Sequence, residues 1–162
     1  MRAFRPEQLN KKIRPSKFFE NFIQQKGPGG VTRATVLEIQ KSLKTFFLDL
    51  AHGAVAQEKY MDFLIGDPRI VEEALKECYN QMNECTIILR SMDAAHSTSN
   101  PVSNWPQFAE LYNRYNMKGQ TYGVIYNGLL AFQNTKDIAH LVGISTRLGS
   151  NMMRGSKQTL LL

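Results

Sequence analysis

Each of the chain's three histidines stands three residues after an aspartate: Asp49-Leu50-Ala51-His52, Asp93-Ala94-Ala95-His96 and Asp137-Ile138-Ala139-His140. A carboxylate and an imidazole at that spacing share one face of a helix and could offer a metal two ligands. No Glu-x-x-His or His-Glu-x-x-His run accompanies them. The aspartates recur at intervals of 44, yet the flanks do not align: Phe47, Ser91 and Thr135 correspond, as do Val36, Asn80 and Val124. The pattern supports neither a repeat nor a metal centre, and each aspartate is expected to accept a hydrogen bond from its neighbouring histidine. The two cysteines, Cys78 and Cys85, are seven residues apart. On one helix that is about 10.5 Å along the axis, too far for a disulfide. No histidine is near them in sequence to form a Cys–His nucleophile. Gly27-Pro28-Gly29-Gly30 is too short for a phosphate loop and lacks its Lys-Ser/Thr, so it reads as a hinge. The expectation is a protein without catalysis, metal or cofactor.

What must position these residues is helix. In residues 67–93, Val71, Leu75, Cys78, Met82, Cys85, Leu89 and Met92 succeed one another at alternating spacings of four and three. That is a heptad seam, with Glu72, Glu73, Lys76, Glu77, Glu84 and Arg90 outside it. Asp67 is placed to cap the first free N–H groups, and Pro68 suits the first helical position. A helix with one narrow apolar stripe must bury it against another helix, so these seven residues are the expected assembly seam.

The first partner in reach is upstream. From Thr32, Leu43, Phe47, Leu50, Ala54, Met61 and Leu64 repeat at helical spacing, Gly53 allows a bend, and Gly66 supplies a stop. Two helices joined by so short a turn fold back as an antiparallel hairpin, 33–93. Residues 1–30 read as a basic arm, with a short helix over 17–25 that carries Phe18, Phe19, Phe22 and Ile23 on one side. Residues 94–106 are a polar loop, in which Trp105 beside Pro106 is expected to be a lid on the core. A helix over 106–118 ends at Gly119. Residues 121–133 fit two patterns: Asn127-Gly128 between apolar runs is a hairpin signal, while Tyr122, Ile125, Tyr126, Leu129 and Phe132 line a helical face. The helix is favoured, because a lone hairpin has no sheet to join.

Residues 135–155 (TKDIAHLVGISTRLGSNMMRG) carry a more specific pattern. Small Ala139 permits a close helix crossing, Gly143 a tight turn, Ile144 plugs the corner, and Ser145 caps a second helix. With Ile138, Val142 and Met152, this segment resembles the helix-turn-helix of bacterial and phage DNA-binding proteins. The resemblance implies a recognition helix over 145–154. It places Thr146, Arg147, Ser150, Asn151 and Arg154 on the major groove, with Lys136 and Lys157 on phosphates. One departure stands out: the buried mid-helix position is Gly149, and Leu148 falls one residue early.

Charge sorts along the chain. Residues 1–30 hold seven Lys/Arg against two Glu, residues 31–106 seven against ten acids, and residues 107–162 six against two, which sums to the net +6. Basic ends could grip a polyanion or fold onto the acidic middles of neighbouring subunits. No stretch reaches the roughly 18–20 apolar residues of a membrane span. Without the apolar core of a signal peptide, a cytoplasmic location, or one inside a virion or similar assembly, is expected. The chain is thus expected to be all-α: residues 31–162 form one helical domain, with a long antiparallel hairpin in a helix bundle, and residues 1–30 form the arm. The 106–155 part holds shorter helices and the helix-turn-helix-like pair. Its expected role is an oligomeric DNA-binding regulatory or packaging protein; the alternative is a structural subunit of a virion, connector ring or secretion complex.

Overall fold

A computed structural model describes residues 36–149 and 156–160, and these are all-α with no strand among them. Six α-helices occur in order: α1 (Val36–His52), α2 (Glu58–Gly66), α3 (Pro68–Ser97), α4 (Pro106–Thr135), α5 (Ile138–Leu148) and the short α6 (Ser156–Thr159). The basic arm, the 17–25 helix, the Gly27–Gly30 hinge and the Thr32 start lie outside the described residues. Single 3-10 turns, Ala54–Ala56 and Pro101–Asn104, join α1 to α2 and α3 to α4.

The expected helix starts and stops on either side of Asp67 form as read. Asp67 Oδ1 accepts the Arg69 backbone N–H at 3.3 Å, and the Arg69 guanidinium closes on the same carboxylate at 3.0 Å. Pro68 occupies the first turn, and α2 ends at Gly66. Gly53 does break the upstream helix. It sits at φ 78°, ψ 9°, the left-handed region that a side chain resists, and this turns the chain from α1 into the 3-10 turn.

The hairpin differs from the one expected. Within the 33–66 segment, residues 36–66 form two helices that pack at the base of α3, whereas the antiparallel partner along its length is α4. A methyl group on Gly119 would lie 3.4 Å from Cys85 Cβ, and one on Gly123 would lie 4.0 Å from Met82 Cε. The Asp93 carboxylate lies near enough to the Tyr112 phenol to raise its pKa. Positions 82, 85 and 93 therefore pair with 123, 119 and 112, as two antiparallel helices require. Gly119 does not end a helix, and residues 121–133 form no β-hairpin. Both lie within α4, which has 30 residues. Glycine serves here as a place of close approach between helices.

The core lies at the base of this hairpin. Ile39, Phe46, Leu50 and Ala51 of α1, Tyr60 and Leu64 of α2, and Ile70 and Ala74 of α3 are buried with Ile125, Leu129 and Phe132 of α4 and Leu141 and Ile144 of α5. Phe47 meets the Tyr122 ring edge to face, with centroids 5.6 Å apart. Helix α5 crosses α4 so closely that a Cβ on Gly128 would stand 2.6 Å from Ile144 Cδ1 and 3.2 Å from the His140 carbonyl. The Asn127-Gly128 pair is thus a crossing point, which explains why its turn-like sequence lies in mid-helix.

Candidate interaction surface

The aspartates all have structural work, though not the work expected. Asp49, buried, accepts the Tyr60 hydroxyl at 2.9 Å. Asp93 faces Tyr112 across the hairpin, and its carboxylate raises the pKa of that phenol. Asp137 caps α5, accepting the Ala139 N–H at 2.9 Å. His52 donates from Nδ1 to the Leu48 carbonyl at 2.7 Å instead of to Asp49. The three pairs do not converge, and among the described residues no group of three His, Cys, Asp or Glu could hold a metal. Cys78 and Cys85 are buried free thiols. Burial pushes both above the ordinary thiol value, and for Cys85 the nearby Lys118 ammonium works in the opposite direction. Neither is an activated nucleophile.

In the 135–155 segment, the turn expected at Gly143 is not formed. Helix α5 runs unbroken from Ile138 to Leu148, and the space around Gly143 is open for 4 Å. Ile144 is instead the knob that enters the Gly128 notch. Ser145 does not cap a second helix; its hydroxyl donates 3.0 Å to the Ala51 carbonyl. Buried Leu141, Val142, Ile144 and Leu148, with this hydrogen bond, hold the segment as one helix against α1 and α4. Of the residues assigned to DNA, Thr146 and Arg147 are exposed, with the Thr146 hydroxyl turned back to the Val142 carbonyl at 3.1 Å. Lys136 is exposed and closes α4 in the left-handed region at φ 58°, its ammonium 5.8 Å from the centre of the Phe132 ring. Ser150, Asn151 and Arg154 lie outside the described residues, as does the side chain of Lys157.

The seam residues divide by position. Val71, Cys78, Cys85 and Met92, seven apart, are buried, whereas Leu75, Met82 and Leu89 are half-buried. Beyond Cys78, only Cys85 and Met92 of α3 are buried, and no residue of α4 is buried before Thr121. The outer part of the hairpin, residues 79–120, is therefore a two-helix layer. Helix α1 reaches it only at its root, where Gln40 and Lys44 share a crevice with Gln81 and Lys118.

Sequence reasoning missed what this outer part exposes. Trp105 is 60% exposed, so it is no lid on the core: it stands at the far end of the hairpin, where α4 begins. With Val102, Pro106, Phe108 and Leu111 it lines an open, almost wholly apolar groove of about 670 Å³. Ile87 and Tyr79 are 59% and 61% exposed on α3, and Leu111 is 41% exposed on α4. The signal was present in the sequence. From 94 to 109 there is no Lys, Arg, Asp or Glu, and the whole outer hairpin balances Arg90, Arg114 and Lys118 against Glu84, Asp93 and Glu110. An uncharged tip with an exposed tryptophan has the composition of an interface core rather than of a solvated loop.

Comparison with known proteins adds nothing to this geometry: no family model, no curated protein and no solved structure matches the chain.

Proposed function

We propose that the chain is a non-catalytic subunit of a larger assembly and makes contact through the outer α3–α4 hairpin, with its basic N-terminal arm lying on neighbouring subunits. The observation that carries this reading is a two-helix layer of zero net charge whose apolar side chains, Trp105 and Leu111 foremost, have no third layer over them among the described residues. A contiguous exposed apolar patch of this kind on a folded chain marks an interaction surface. The absence of an activated nucleophile or a clustered ligand set among the described residues is compatible with a role without chemistry, and the reading does not rest on it.

A second reading, duplex DNA binding through residues 135–155, draws on the net +4 of residues 107–162 and on the exposed Lys136 and Arg147. One pair of measurements separates the two. Groove binding through about four to six phosphate contacts gives a log–log dependence of affinity on salt with slope near −4 to −5. Arg147→Ala with Asn151→Ala would then abolish sequence preference. The assembly reading expects a species heavier than a monomer in light scattering, little changed by duplex DNA, and reduced in mass when residues 1–15 are deleted while helicity is kept. A monomer at every concentration, with or without DNA, defeats the assembly reading.

A further inference from the structure

We propose that the partner on the outer hairpin is a second copy of this chain, seated on the face that α1 covers at the root. This rests on the assembly reading and names its contact. Ile88 is seven residues beyond Gln81 on α3, and Leu111 is seven before Lys118 on α4, so both lie on the face that meets α1. At the root, α1 fills the groove between the two helices, with Phe47 against Tyr122. Farther out, Ile88 and Leu111 continue this face, and Leu111 joins it to the separate apolar groove at Trp105, with Trp105 and Leu111 left exposed. The natural occupant of this face has the shape of α1, another helical layer.

Charge selects a second copy over other helical partners. Arg114 is held by Glu110 on its own helix at 3.4 Å, which leaves Glu84 on the α3 side and Lys118 on the α4 side, so the two edges carry opposite sign. A face with one acidic and one basic edge is complementary to itself, and an isologous contact uses the same patch twice. A nucleic acid or a strongly charged peptide gains nothing from a surface that sums to zero. Although each chain carries +6, the uncharged stretch 94–109 lets two tips approach without like-charge repulsion. Size points to a moderate affinity. The outer helices overlap over about 22 Å and are together about 20 Å wide, a footprint of about 450 Å² per copy. Twice that, about 900 Å², is at the lower bound for a specific interface, so the dimer is concentration-dependent rather than permanent.

Trp105 is the chain's single tryptophan and sits in the proposed contact, so its emission reports occupancy directly. The experiment uses the full chain, monitored by sedimentation and tryptophan emission from about 1 µM to about 1 mM. The expected result is a monomer–dimer transition, with the emission moving to the blue as the dimer forms. Leu111→Lys should raise the dissociation constant at least tenfold with unchanged circular dichroism. Leu130→Lys, at an exposed site on the inner half of α4, should leave it within twofold. An oligomer that Leu111→Lys does not weaken, but that deletion of residues 1–15 does, overturns this contact and leaves the assembly reading standing. A strict monomer overturns both. A monomer whose emission moves only on phosphatidylcholine vesicles assigns the groove to lipid and overturns the proposal.

Discussion

At the scale of single residues, three glycines in or beside helices do three different things, and the structure tells them apart. Gly128 is a contact: its missing side chain makes room for Ile144 and for the backbone of α5. Gly128→Ala should cost about 1–3 kcal/mol through overpacking, read as a lowered denaturation midpoint. Gly143 has nothing near it and lies in a regular helix. Gly143→Ala should therefore raise stability by about 0.5–1 kcal/mol. A tight turn at Gly143, as in a helix-turn-helix, gives the opposite sign, so this one variant tests the continuity of α5 in solution. In sequence the two positions look alike, each a glycine close to apolar residues. Only the distance to another backbone distinguishes them.

At the scale of elements, the break between α1 and α2 is the clearest case of local sequence dictating direction. Gly53, the third of these glycines, takes the left-handed backbone that lets the chain leave α1 and bury Ala54, Val55 and Ala56 in succession. Gly53→Ala should destabilise the fold by about 1–2 kcal/mol, measured by chemical denaturation, because the methyl group is strained in that conformation whatever the space around it. The same locality explains what could be read beforehand. The Asp67-Pro68 start and the Gly66 stop depend on neighbours in sequence, and each formed where expected. The partner of the seam does not. Helix α4 hides its role because Gly119, Gly123 and Gly128 interrupt an otherwise apolar face, and Gly119 and Gly128 each had a plausible local reading as a stop or a turn. The outward Trp105 was misassigned for a similar reason: that it lies at the end of a long hairpin is a fact about helix lengths, not about its immediate neighbours.

At the scale of the whole molecule, the buried protonated groups make the fold sensitive to alkali. Burial raises the Tyr60 and Tyr122 phenols above their ordinary 10.0 and the Cys78 thiol above its ordinary 9.0, and the Asp49 carboxylate adds to the effect at Tyr60. Below those ordinary values both folded and unfolded chains keep the protons and stability is unaffected. Above them the unfolded chain ionises while the folded chain cannot. Stability should then fall by up to about 1.4 kcal/mol per pH unit for each group. Denaturant midpoints between about pH 8 and about pH 11 would show a plateau and then a decline, and Tyr122→Phe should shallow that decline.

The hairpin's last buried α4 residue is Thr121 and its tip is Trp105, so it acts as a lever with its anchor at one end and its indole at the other. Over about 24 Å of length, a tilt of only about 10° at the root carries the indole some 4 Å sideways. Small differences in packing around the Gly128 notch would therefore be magnified at the far tip. Two such levers could find each other over a range of angles before locking.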